Sequence, residues 1–259
     1  MSATSGIRRT SLAVLVAVGC ARLATAQTLV ESSSETRFQL DVHVPDAALA
    51  AMLPAGFALN VAAQGAAKDA NLRVVFIDRL TINGPDGKPG ATSSNRLVYL
   101  VAPVKDPSGA NAQLVIGGLT EAPSDAPGPF GVYLAATTHM MRRSSTGGRG
   151  PVIEEQDWTF EAAGGEHLEM HIQFERGVGN KGNPSETRFY SARTPAFYQI
   201  SKQEQVLDIL KNVTTAPPDR VKTFSFKASG GTYARLFDGT ERLLSWDNIL
   251  WINRSVSIP

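Results

Sequence analysis

Phe38-Gln39-Leu40-Asp41-Val42-His43-Val44-Pro45-Asp46-Ala47-Ala48-Leu49-Ala50-Ala51-Met52-Leu53-Pro54-Ala55-Gly56-Phe57 changes its hydrophobic period part-way along. Phe38, Leu40, Val42 and Val44 alternate with Arg37, Gln39, Asp41 and His43, the period-2 signature of a half-buried strand. Pro45-Asp46 then opens an Ala/Leu-rich piece closed by Pro54, with Leu49, Met52 and Leu53 at helical spacing, which predicts a helix of about two turns.

The same alternation, or a short apolar run, recurs at 57–63, 72–80, 96–104, 112–119, 130–138, 152–160, 166–175, 186–192, 220–228 and 243–252. Between the runs lie turn formers such as Asn83-Gly84-Pro85-Asp86-Gly87, Asp106-Pro107-Ser108-Gly109 and Gly164-Gly165. Many short strands with Gly/Pro turns and few helices predict a mainly β fold, an antiparallel sandwich or barrel. Residues 27–35 are polar and Ser-rich and read as a flexible arm before a single domain over 36–259. A second helix is expected over 202–212: Ser201 and Glu204 match a capping box, Val206, Leu207 and Leu210 supply an apolar stripe, and Pro217-Pro218 stops the helix.

Residues 1–26 have the layout of a secretory signal. Arg8-Arg9 precede the apolar run Leu12 to Gly19, and Ala24-Thr25-Ala26 offers small residues at a cleavage point after Ala26. Secretion or delivery to a periplasm is therefore expected, with Arg8-Arg9 and the stretch Ala17 to Cys20 leaving twin-arginine and lipoprotein routes open. No run reaches the ~20 apolar residues of a membrane-spanning helix, so no integral membrane segment is expected. Cys20, the only cysteine, lies inside the signal, which removes thiol nucleophiles, thiolate metal sites and disulfides from the cleaved chain. With Arg8, Arg9 and Arg22 set aside, 22 basic residues face 24 acidic ones, a net charge of −2. That balance argues against nucleic acid as a partner, because a phosphate backbone demands a basic excess. With 42% hydrophobic and 19% charged residues, the chain has the composition of a globular protein.

The segment Phe38 to Phe57 resembles the opening of acetoacetate decarboxylase-like proteins, in which a strand runs into a short helix ending at a Leu-Pro-x-Gly-Phe turn, here Leu53-Pro54-Ala55-Gly56-Phe57. Order and spacing remain similar over residues 36–145, through a strand at Leu72 to Arg79, one ending Val101-Ala102-Pro103-Val104, and one entering Tyr133 to Thr138. The resemblance implies an antiparallel β-barrel or cone around an apolar cavity, with a few short helices at its margins. In members that decarboxylate, a lysine in a Pro-Lys-Lys stretch forms a Schiff base. Its pKa is depressed by burial and a neighbouring ammonium. The stretch that corresponds by spacing is Ala135-Ala136-Thr137-Thr138-His139-Met140-Met141-Arg142-Arg143, with arginine where the lysine pair would fall. A guanidinium stays protonated and cannot form an imine. The family's Gly-Arg-Glu and a matching acid in Ser94 to Leu100 are missing as well.

These observations favour a small-molecule-binding protein for an apolar or carboxylate-bearing ligand. A lyase acting on a keto acid is the alternative, and a non-catalytic envelope interaction module a second. The candidate ligand residues are Arg142 and Arg143, as an oxyanion clamp, His139, and the cavity aromatics Tyr99, Tyr133 and Trp158. For catalysis the candidates are Lys222, which alternation places on one face with Phe224 and Phe226, and His139 as a proton-transfer group. His167, Glu169 and His171 share a strand face, but a rise of about 3.3 Å per residue holds the two histidines roughly 13 Å apart, so no metal is expected on them together. No phosphate loop, dinucleotide fingerprint or Gly-x-Ser-x-Gly elbow is present, and no cofactor is expected.

Overall fold

The computed structural model describes residues 27–92, 94–125, 131–211 and 220–259. In chain order the elements are β1 (Thr28–His43), α1 (Asp46–Ala50), β2 (Ala58–Leu59), β3 (Leu72–Asn83), β4 (Asn95–Lys105), β5 (Asn111–Thr120), β6 (Tyr133–Thr146), β7 (Val152–Ala162), β8 (His167–Glu175), β9 (Asn180–Lys181), β10 (Ser185–Ser191), β11 (Tyr198–Lys211), β12 (Val221–Ser229), α2 (Tyr233–Leu236) and β13 (Arg242–Ile258). Among the described residues no helix is long and apolar enough to cross a membrane.

Seven strands close on themselves in the order β4-β5-β10-β11-β13-β1-β3, with β3 returning to β4. Every neighbour pair in this ring is antiparallel except β5 and β10, which run parallel over Gln113 to Val115 and Phe189 to Ser191. β5 divides one of its edges. Its first half meets β10, whereas Gly118 to Thr120 pair in parallel with Tyr133 to Ala135 and launch β6. From there β6, β7, β8 and β12 form an antiparallel sheet that folds over the ring. The fold is thus the mainly β barrel that the strand pattern predicts, with a covering sheet attached to one wall.

Strand alternation now has two destinations. Phe38, Leu40 and Val42 of β1, Val74 and Phe76 of β3, and Val98 and Leu100 of β4 leave the ring outward and meet Trp158, Phe160, Met170, Ile172 and Phe174 of the covering sheet. Phe76 lies tilted 5.7 Å from Trp158 and Phe38 lies 6.1 Å from Phe174, centroid to centroid. Each such side chain taken from water contributes roughly 1.5–3 kcal/mol, so the main hydrophobic core lies between ring and sheet, not inside the ring. The inner face carries a smaller apolar group, Val75, Ile77, Leu97, Tyr99, Val101 and Val115.

Two expectations are corrected. Residues 28–35, read as a flexible arm, are the first half of β1, paired with β13 on one side and β3 on the other. The helix expected over 202–212 is strand as far as it is described: β11 runs to Lys211 between β10 and β13. Helical spacing of Val206, Leu207 and Leu210 is overridden because two neighbouring strands offer this segment a full set of backbone partners. Ser201 is buried mid-strand, and Glu204 pairs with Lys181 at 3.7 Å instead of capping a helix.

Gly118 marks where β6 departs. A Cβ there would sit 2.6 Å from the Tyr133 ring and 2.7 Å from the Val98 carbonyl oxygen, so Tyr133 can lie over the ring wall only where no side chain intervenes. Gly118→Ala is expected to cost about 1–3 kcal/mol through overpacking, read as a lower urea midpoint at unchanged slope.

Candidate ligand site

The polar row of β1, which alternation alone assigns to solvent, points into the ring. Ser33, Glu35, Arg37, Gln39 and Asp41 are all buried. Bare charges cannot be left there, and each carboxylate has partners. Glu35 receives Arg37 Nε at 2.7 Å and Nη2 at 2.5 Å on one oxygen, with Ser33 Oγ donating at 2.7 Å and Arg254 Nε at 3.2 Å on the other. Arg79, fully buried, pairs with Glu35 at 3.5 Å and closely with Glu31, which also receives Arg254 Nη2 at 2.8 Å.

Burial alone would raise the Glu35 pKa, but Arg254, Arg37 and Arg79 outweigh it and hold the carboxyl well below the usual range. Burial lowers Arg79, with the neighbouring Arg254 charge adding to it. At Arg254 the two glutamates overcome burial and raise the guanidinium. Three guanidiniums therefore face two carboxylates, leaving one positive charge in excess within this cluster.

Beside this cluster is a hollow of about 20 Å³, lined by Arg37, Tyr99, Tyr133, Gln199, Ser201 and Arg254 among others. It has room for about one water molecule. The Tyr133 hydroxyl and Ser201 Oγ are buried with no hydrogen-bond partner. Burial raises the Tyr133 phenol, so it remains a donor. Arg254 also lines a groove of about 720 Å³ bordered by Ser32 to Ser34, Pro184 to Glu186, Lys202 to Glu204 and Asn253 to Ser255. The interior is consequently mixed, with Val115, Phe189 and Val256 beside the charged cluster, rather than the apolar cavity expected.

Farther along the same row, Asp41 accepts from Arg73 Nε at 2.7 Å and Nη2 at 3.2 Å and from Ser245 Oγ at 3.2 Å. Gln39 Nε2 donates to Asp247 Oδ2 at 3.0 Å. Burial, opposed by that hydrogen bond and reinforced by the Asp41 charge, pushes Asp247 up to about 6.

Of the expected site residues, Tyr99 and Tyr133 line the hollow. The others lie elsewhere. Trp158 is in the core between ring and sheet, its Nε1 donating to Gln156 at 3.1 Å. Arg142 is engaged with buried Glu154 at 2.8 Å, and Arg143 with Glu155, both on the covering sheet. His139 is exposed on that sheet. Lys222 is a bulge residue, skipped in the pairing of β12 with β8, so it leaves the Phe224 and Phe226 face and reaches Glu175 at 3.7 Å in solvent. All eight lysines are exposed or half-buried, and none lines the hollow. His167 and His171 are separated, His167 pairing with Glu169 at 3.2 Å and His171 with Asp157 at 2.7 Å. Glu155, Asp157 and His171 do bring three ligand-type atoms within 4.8 Å of one another. Glu155 is held by Arg143 and His171 by Asp157 and Thr223, so each already has a partner.

Arg37, Glu35, Gln199, Ser201 and Arg254 escape a reading by alternation, which treats the polar face of a strand as wet. The signal available was the density of charge opposite Phe38 and Leu40 in a strand long enough to cross a barrel.

No family model matches the chain, and no curated protein matches it. Solved structures do. An acetoacetate decarboxylase-like enzyme from Sphingomonas wittichii RW1 superposes with a TM-score of 0.55 at 10% identity, covering 90% of this chain and 92% of that one. The enduracididine biosynthesis enzyme MppR, complexed with the condensation product of pyruvate and imidazole 4-carboxaldehyde, gives 0.54 at 10% identity, covering 88% and 87%. The chain has an acetoacetate decarboxylase-like fold. Its barrel hollow is lined by Arg37 and Arg254 and by no lysine.

Proposed function

We propose that the protein binds a small carboxylate-bearing molecule non-covalently inside its acetoacetate decarboxylase-like barrel, in the exported setting that residues 1–26 suggest. The observation that carries this reading is the convergence of Arg37, Arg254 and the two unpartnered hydroxyls of Tyr133 and Ser201 on one hollow. A carboxylate placed there receives two charged and two neutral donors and neutralises the excess positive charge. The hollow is about one water in size, so a carboxylate head group enters by moving the Tyr133 and Ser201 side chains apart, and the groove that shares Arg254 offers space for the rest of the molecule. MppR was solved with a pyruvate-derived product, which makes pyruvate a reasonable first probe.

Thermal shift and calorimetric titration with pyruvate, acetoacetate and neutral acetone test the reading. Both acids are expected to raise the melting temperature and acetone to leave it unchanged, since only a ligand of the folded state stabilises it. Ser201→Ala with Tyr133→Phe should weaken the acids by about fivefold to a hundredfold, as each lost donor removes roughly 0.5–1.5 kcal/mol. Equal responses to acid and acetone would sink the proposal.

The lyase reading makes a different forecast. Borohydride trapping with pyruvate is expected to leave every lysine unmodified, because all eight are exposed or half-buried and none lines the hollow. A mass increase on any lysine would restore the imine mechanism.

A further inference from the structure

A second cavity, of about 290 Å³, lies outside the barrel where β4 and β5 meet the start of β6 and the turn before α2. Met52, Leu100, Ile116, Val132, Leu134 and the Tyr233 ring supply apolar walls, and Gly117 and Gly118 contribute bare backbone. Leu134 is 43% exposed at its rim. Glu166 is the only ionisable acid or base of ordinary charge among the lining residues. Its neighbours on the covering sheet are accounted for: Glu154 faces Arg142, Glu155 faces Arg143, Glu169 faces Lys227 and Glu175 faces Lys222. The Glu166 carboxylate has no hydrogen bond or ion pair among the described residues.

Its position is set by the backbone of the opposing turn. Gly230 and Gly231 have φ of +77° and +48°, and a Cβ on Gly231 would lie 2.6 Å from Glu166 Oε1. A Cβ on Gly230 would lie 2.1 Å from the Gly165 carbonyl oxygen, so the two turns approach as closely as they do only through glycine. The Tyr233 ring is buried on the same cavity, and an aromatic face attracts a cation.

We propose that this cavity is a binding site for a small apolar amine, its ammonium paired with Glu166 beside Tyr233 and its hydrocarbon body against Met52, Ile116 and Leu134. Hydrocarbon walls alone accept any apolar guest of the right size; one unneutralised carboxylate selects among them for positive charge. The site shares no ionic group with the barrel interior, so its fate is independent of the carboxylate proposal.

Phenethylamine and 2-phenylethanol, nearly equal in shape and different in charge, are the probes. Titrated into the intact protein at pH 7 and followed through methyl resonances of Met52, Ile116 and Leu134, phenethylamine is expected to bind at least about tenfold tighter, the value of one charge-assisted hydrogen bond. In Glu166→Gln the two should bind alike. Leu134→Trp, at the exposed rim, should block both and serves as the readout where Glu166→Gln fails to fold. Equal affinities in the native protein, shifts confined to other residues, an amine preference that survives Glu166→Gln, or undiminished binding to Leu134→Trp would each overturn the assignment.

Discussion

Glu35→Gln is expected to destabilise the protein by about 3–5 kcal/mol at pH 7, the cost of breaking a buried ion cluster by removing one partner. Glutamine keeps the shape and can still accept from Ser33 and Arg37. What it removes is the charge against which Arg37, Arg79 and Arg254 are set, leaving Glu31 as their nearest counter-charge. The folded-state pKa of Glu35 is depressed, so its contribution is complete above the unfolded value of about 4.3 and is lost as pH falls below it. Denaturant unfolding should therefore show a large gap between native protein and variant at pH 7, narrowing as both are acidified. A companion experiment sharpens the point: Arg79→Met in the Glu35→Gln background should cost less than Arg79→Met alone, because the guanidinium has already lost one of its anions. Loss of less than about 1 kcal/mol in Glu35→Gln would mean that the cluster is held by solvent rather than by itself.

Asp247→Asn works in the opposite direction. Burial and the neighbouring Asp41 charge push Asp247 up to about 6, so below that pH the folded chain holds a proton that the unfolded chain releases near 4. Stability then falls as pH rises between those two values, and at neutral pH the ionised form carries a standing penalty of roughly 3 kcal/mol. Asparagine cannot ionise and can still accept from Gln39. The variant should gain about 1–3 kcal/mol over the native protein at pH 7–8, an advantage that disappears near pH 3.5. Unfolding curves at the two pH values decide it. A constant difference at both would assign the effect to packing instead of charge.

The acetoacetate decarboxylase-like architecture was legible because its signals are local. Phe38, Leu40 and Val42 announce a strand whatever lies beyond them, and Leu53 to Phe57 announce the turn that follows α1. The interior was not legible, since the destination of Glu35 and Arg37 is decided by β13 and β3, elements remote in sequence that turn a polar face inward. Lys222 shows the same limit at smaller scale. One bulge reverses the face that alternation assigns to it. The segment after Tyr198 failed for a third reason: its helical spacing is genuine, but β10 and β13 pair both its edges and outbid a helix that would need its own docking surface.

The register between β1 and β13 joins Thr28 to Ile258 and His43 to Arg242, the longest chain separation in the molecule. While a ribosome is still making the segments in between, β1 has nothing on that side, and Arg254 has not yet been added to the nascent polypeptide. Glu31 and Glu35 must then remain hydrated, and like charges along an unpaired strand disfavour its pairing with another chain. The same carboxylates that lock the finished barrel are thus the groups that blunt this edge before β13 exists to cover it.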